Sequence, residues 1–465
     1  MPIIAQRRAE AGSPSTPALE HEAISVYERE LRVTQESFPD DDAPTGARPQ
    51  LHPGSVGGAK SPPPPGTALQ RLKSLLALRL HGLDKDVLDV VVGTILASSL
   101  QGDPVWLFLI GPPGDGKSEI LRSFSGHELI YALSSLSPNA LISGYEGDTG
   151  EDPSLLPRLN EKVLVIKDFT TILDLPNDAR TQILGALRDA YDGEAAKAFG
   201  SVGTRRYVSR FGLIAGVTPA IDDFWSISAQ LGERFLKLRL KGGDRMDKVR
   251  RAMENVDTED PIREEIRKAS HAVLDQSTPK PSVDEIASSR IAALAEFVAL
   301  ARSPVNRDGS GVVKGMPVPE IGTRVAKALK KLAMGIGMAH GAERVGENEM
   351  RIITRVGVDS VPLLRVNLLR TLWAMGNNPL SGTAIASALS LPTGTATRHL
   401  EDLHILEVVD RSGNPNSGYR WRLADGFRQI IEQAGVFLDD EEENREGGDS
   451  APLTSPESKQ LVACV

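Results

Sequence analysis

The segment PVWLFLIGPPGDGKSEI, residues 104–120, constrains this chain more than any other stretch. An apolar run, Val105 to Ile110, leads straight into a glycine turn, and the turn leads straight into a helical pattern. The turn matches G-x-x-x-x-G-K-[ST], and strand, turn and helix form the context that this pattern requires. Gly111, Gly114 and Gly116 let the loop of Gly111, Pro112, Pro113, Gly114, Asp115 and Gly116 wrap closely. Its available N–H groups and the next helix N-terminus can then face an anion. Lys117 supplies a cation for β- and γ-phosphates, and the Ser118 hydroxyl can reach Mg²⁺. The expected ligand is a nucleoside triphosphate, ATP with Mg²⁺.

Such a strand needs partners, and the neighbouring sequence supplies them. ELIYALS, VLVIKD and FGLIAGVTP read as strands, with DARTQILGALRDAYDG as a helix between them. Strands alternating with helices imply a parallel sheet covered on both faces. LKSLLALRLHGLDKDVLDVVVGTILASSL, upstream, reads as helical. From about residue 243 the apolar spacing is helical almost throughout, and SVDEI opens one helix with Ser282 and Glu285 in capping-box spacing. The expected organisation is an arm at 1–66, an α/β nucleotide-binding domain at 67–242, an all-α lid at 243–360, a winged helix-turn-helix at 361–435 and a tail at 436–465.

The arm is rich in Pro, Ser, Gly and charge, and ALEHEAISVYERELRVTQ within it has room for one short helix. The tail is acidic and lacks aromatics, so disorder is expected for both ends. A net charge of −9 excludes a basic nucleic-acid coat, so DNA contact must come from local patches. Cys464 is the only cysteine, which leaves no disulfide or cysteine zinc site within one chain. No opening signal pattern and no apolar run of spanning length is present, which implies a cytoplasmic protein without membrane contact.

VLVIKDFT, residues 163–170, ends unusually for a chain with a phosphate loop. Such strands normally end in two acids, one for the metal and one to activate water; here the pair is Lys167-Asp168. Alternation along a strand implies that only one of the two faces the metal. A second ammonium beside Lys117 would cost about 3 kcal/mol at ~5 Å and an effective dielectric near 20. That turns Asp168 toward the metal. One acid is missing in any arrangement, with Glu146 or Asp148 of YEGDTGEDP as candidate substitutes. Hydrolysis is expected, and slow.

The order of motifs resembles AAA+ ATPases, most closely their minichromosome-maintenance-like helicase branch, over about residues 75–360. HGLDKDVLDVVV looks like the box that helps seat adenine, and LVIKDFTTIL lines up with that branch's I-D-E-F strand through Phe169. This register gives Asp168 the water-activating position. FGLIAGVTPAID is similar to the strand ending in a polar sensor, which makes Thr218 the sensor. LGERFLKLRL resembles the arginine-finger segment, with Arg234 as the finger, and TRVAKALKKLA offers Arg324 as second sensor. The resemblance implies a nucleotide-dependent ring, a hexamer.

EAAKAFGSVGTRRYVSR looks like the hairpin that such helicases project into the ring channel, with Lys197, Arg205, Arg206 and Arg210 as phosphate-contacting cations. In the C-terminal block, LPTGTATRHLEDLHIL reads as the third helix of a winged helix. Its first half presents Thr395, Thr397, Arg398 and His399 to a major groove, while Arg411, Arg420 and Arg422 flank it for backbone phosphates. The expected function is an ATPase acting on single- or double-stranded DNA as helicase, helicase loader or replication initiator. An ATP-gated DNA-binding regulator with weak or no hydrolysis is the alternative, and an ATPase with a protein client is a third.

Overall fold

The computed structural model describes residues 67–145, 151–200, 203–224, 234–256, 259–414, 416 and 418–438. The arm, most of the acidic tail, Glu146 and Asp148 therefore lie outside the described residues. Helices α1 (Thr67–Arg79) and α2 (Val87–Ala97) lead into β1 (Trp106–Ile110), the short α3 (Lys117–Arg122), β2 (Ile130–Leu133) and β3 (Val163–Ile166). Next come α4 (Asn177–Tyr191), the hairpin β4 (Glu194–Phe199) and β5 (Gly203–Val208), then β6 (Gly212–Val217) and β7 (Phe235–Arg239).

Strands β2-β3-β6-β1-β7 form a five-stranded sheet in that order, and every pairing within it is parallel. Helices cover both faces, and alternation along the strands sorts the side chains accordingly. Leu107 and Leu109 of β1, with Val163 and Val165 of β3, join the core that also holds α1 and α2. Trp106, Phe108 and Ile110 join the opposite core with Leu164, Ile166 and Phe169. There Phe108 stacks on Phe235 with ring centroids 3.9 Å apart, and the Trp106 indole N–H donates to the Phe211 carbonyl at 2.9 Å.

The upstream helical stretch is made of two helices, α1 and α2. Gly82 has φ of 62°, which breaks the pattern, and its backbone passes so close to Gly243 that a Cβ would lie 2.8 Å from that residue's Cα. After the sheet, α5 (Arg245–Glu254), α6 (Glu259–Leu274), α7 (Glu285–Arg302), α8 (Thr323–His340) and α9 (Glu347–Asp359) follow. The cap of α7 is Asp284, whose carboxylate accepts from Ala287 N at 2.8 Å. Ser282 belongs instead to a bridge with Arg344, so the expected capping box is not formed. Helices α2 and α8 pack closely because Gly93 and Gly335 face each other.

The C-terminal block holds α10 (Leu363–Ala374), β8 (Leu380–Ser381), α11 (Gly382–Ala388), α12 (Thr393–Ile405), β9 (Val409–Asn414), β10 (Gly418–Leu423) and α13 (Asp425–Ala434). Its strands form a small antiparallel sheet, β8-β10-β9. Leu400, Leu403 and Leu406 are buried against Trp421, whereas Ile405 is exposed. Among the described residues no helix is long and apolar enough to cross a membrane.

Candidate functional site

The glycine loop leaves β1 at the C-terminal edge of the sheet, where open α/β sheets present ligand crevices. Gly111 N donates to Val217 O at 3.2 Å, which ties the loop to β6. Gly114 and Gly116 have φ of 81° and 83°, values a side chain would strain. The Lys117 ammonium is buried and donates to the Gly111 and Pro112 carbonyls at 2.6 and 2.8 Å. Burial lowers its pKa, and Asp115 and Asp168 partly oppose that shift. Ser118, one residue on, is exposed.

A cavity of about 420 Å³ opens over the loop, lined by Lys117, Ser118, Glu119, Lys167, Asp168 and Thr218 among others. Its size suits a small-molecule ligand. Both Lys167 and Asp168 line it, contrary to the alternation expected of a strand. The pairing of β3 ends at Ile166, and the chain bends at Lys167, so period-two geometry no longer applies. The Asp168 carboxylate accepts from Thr170 N at 2.9 Å, and Thr170 Oγ1 accepts from Thr218 N at 3.2 Å. Asp168, Thr170 and Thr218 thus form one connected edge of the cavity.

Sequence reasoning missed a second set of residues here. Arg79 at the end of α1, and Asn255 just beyond α5, line the same cavity, and Asn255 Nδ2 donates to Arg79 O at 2.9 Å. Glu119 receives Arg79 at 2.9 Å, Arg122 at 3.1 Å and Arg263 of α6 at 3.2 Å. Burial pushes the Glu119 carboxyl up, but these guanidiniums outweigh it and hold it below its ordinary value. Lys248 of α5 pairs with Asp115 in the loop itself. A smaller adjoining pocket is walled by Leu80, Leu83 and Leu240, with Asp115 and Lys248 at its rim. Glu119 directly follows Ser118 and could have been flagged; the other partners carry no local signal.

As donors for Mg²⁺, the described lining offers the Ser118 hydroxyl and the Asp168 carboxylate, since Asp115 and Glu119 are held by cations. Mg²⁺ keeps several waters and binds through one or two carboxylates plus phosphates, so these two residues fit an ion carried in by a triphosphate.

The expected arginine finger and second sensor lie elsewhere. Arg234 directly precedes Phe235, which pairs with Trp106 at the start of β1, whereas the loop follows Ile110. Five residues of strand separate the two ends, roughly 16 Å. The Arg234 side chain is 6% exposed; it donates to Asp192 at 3.0 Å and lies over the Tyr191 ring. Arg324, exposed near the start of α8, shares these surroundings. Burial and Asp103 push the Tyr191 phenol up to about 12, with Arg234 and Arg324 acting against them. Neither arginine joins the loop of its own chain.

The β4–β5 hairpin is formed, but one of its faces lies against Asn139 and Asp152. Lys197 donates to Asn139 at 3.0 Å, and Arg205 and Tyr207 both bind Asp152. Lys197 and Arg205 therefore point inward, because side chains of one parity share one face. Arg206 is exposed but sits 3.0 Å from Glu194, and Arg210 donates to Gly102 O at 3.3 Å. Each of the four cations expected on this hairpin thus has an acceptor among the described residues, and residues 201–202 of its turn lie outside them.

In the C-terminal block Arg398 and Arg420 are exposed, and Arg411 lies over the Tyr419 ring. Thr395, Thr397 and His399 are half-buried, and burial, then Arg365, holds the His399 imidazole below its ordinary range. Arg422 is neutralised by Asp410 and Asp425. Comparison with protein-family models and with curated proteins finds no match to this chain.

Proposed function

We propose that this chain is an ATP-binding and ATP-hydrolysing protein of the AAA+ kind, resembling the minichromosome-maintenance-like branch, which assembles with copies of itself and acts on DNA. The observation that carries this reading is the gathering of Lys117, Ser118, Asp168 and Thr218 around one cavity beyond a parallel strand's C-terminal end. In this reading the loop N–H groups and Lys117 bind the triphosphate, and Lys117 exchanges two loop carbonyls for phosphate oxygens. Ser118 and Asp168 would hold Mg²⁺, which when bound offsets charge on the phosphates. Asp168 is then the carboxylate for either the metal or the attacking water, and Thr218, tied to Thr170, orients that water. One acid for two tasks makes turnover slow.

In this reading Arg234 and Arg324, which do not join the loop of their own chain, serve the nucleotide of a neighbouring copy, and the hexameric ring is what the resemblance implies. Residues 243–360 act as the helical lid, and 361–435 as a winged helix that meets DNA through Arg398, Arg420 and Thr395, with Arg411 beside them. The inward-facing Lys197 and Arg205, together with Lys167, favour a second reading: an ATP-gated DNA-binding regulator with little hydrolysis. ATP binding and turnover, measured with and without single- and double-stranded DNA, separate the two. Turnover stimulated by DNA supports the motor, and DNA binding without turnover supports the regulator. ATP affinity that is the same in Lys117→Ala as in the parent would defeat both.

A further inference from the structure

The cavity contains two cations that this chemistry does not use, Arg79 and Lys167, and Glu119 already holds Arg79. Lys167 lines it together with Lys117, Ser118 and Asp168. The backbone fixes its place: Lys167 N donates to Leu133 O at 3.2 Å, and Phe169 N donates to Gly216 O at 2.7 Å. The fully buried Phe169 ring packs on Phe108 with centroids 4.9 Å apart, which anchors the bend from below. Gly216 permits the approach, since a Cβ there would lie 2.6 Å from the Lys167 carbonyl oxygen.

Among the described residues, the Lys167 ammonium has no hydrogen bond or ion pair. The other acids of the lining are already engaged: Asp115 by Lys248, and Glu119 by Arg79, Arg122 and Arg263. The lining thus sets one hydroxyl, Ser118, and one carboxylate, Asp168, beside an uncommitted ammonium, at the position where phosphate-binding sites usually carry a second acid.

Resting on the nucleotide reading above, we infer that Lys167 supplies at the phosphates part of the positive charge that a divalent cation supplies elsewhere, so this site binds nucleoside triphosphate with little dependence on Mg²⁺. A lysine binds phosphate as a point charge and needs no fixed geometry. The same charge repels a metal, which further narrows the gain from adding one. At ~5 Å and an effective dielectric near 20 a unit charge changes phosphate affinity by roughly a hundredfold; partial exposure reduces that to on the order of tenfold.

The test is equilibrium binding of a fluorescent ATP analogue to the full chain, once with Mg²⁺ and once with excess EDTA. The parent is expected to bind within about threefold in the two buffers, while Lys167→Met loses about tenfold in EDTA and much less in Mg²⁺. Lys167→Asp, which restores the usual acid, is expected to bind tightly only with Mg²⁺. A parent that loses as much affinity in EDTA as Lys167→Met does overturns the inference and leaves the nucleotide reading standing. A parent that binds no analogue in either buffer overturns the nucleotide reading, and the inference with it.

Discussion

Replacing His340 by Gln is expected to remove a stabilising bridge whose strength depends on pH. His340 ends α8, with Nε2 2.8 Å from an Asp89 oxygen on α2 and Nδ1 2.6 Å from a Glu349 oxygen on α9. Its side chain is 17% exposed, and the two acids are 3% and 7% exposed. Burial alone would lower the imidazole pKa, but the two carboxylates outweigh it and raise it to about 9 from 6.5. Because the folded value lies above the unfolded one, the contribution is fully present below pH 6.5 and disappears as pH rises through 9. A shift of this size corresponds to about 3 kcal/mol near pH 6 and under about 0.5 kcal/mol at pH 9. Residual solvent contact reduces the usable change to about 2 kcal/mol.

Lys331 acts in the opposite sense within the same range. Burial lowers it to about 8, so from there upward the unfolded chain holds the extra proton and stability rises with pH. The quantity to follow is therefore the difference between parent and His340→Gln in urea unfolding at pH 6 and pH 9. That difference should shrink by about 2 kcal/mol. An equal difference at both pH values would show that the bridge is not ionic, and that His340 acts there only through packing.

Asp168→Asn is expected to reduce ATP turnover by about a hundredfold, measured as phosphate release, since Asp168 is the carboxylate available beside Lys117. Unchanged turnover would place the essential acid elsewhere, with residues 146–152 examined first. Arg398→Ala should weaken binding to a preferred duplex by about 1–3 kcal/mol if it reads a guanine, whereas Arg205→Ala should leave the salt slope of DNA binding nearly unchanged because Asp152 already holds that side chain. Salt titrations on both variants check this, and a flattened slope for Arg205→Ala would show that the hairpin opens. Gly335→Ala should destabilise the fold by about 3 kcal/mol in thermal or urea unfolding, because a Cβ there would overlap the Gly93 carbonyl oxygen on α2.

The local features were legible without the structure. The apolar strand before Gly111, the glycines that permit φ above zero and the helix that follows all lie within a short contiguous stretch, and backbone sterics act on neighbours. The alternation of strands and helices gave the parallel sheet for the same reason, and the sorting of Trp106, Phe108 and Ile110 from Leu107 and Leu109 follows from strand periodicity. What the sequence could not decide depends on groups brought together from far apart. Lys167 and Asp168 face one cavity because the strand ends at Ile166 and the chain bends at Lys167, which only the packed sheet sets. Lys197 and Arg205 turn inward because Asn139 and Asp152 happen to lie beneath them. Glu119 gathers Arg79 from 40 residues before it and Arg263 from 144 residues after it, and Arg234 folds back onto Asp192. Charge and motif are read along the chain, but whether a cation is free, paired or poised over a ligand is settled by which acid the tertiary fold places within about 3 Å of it.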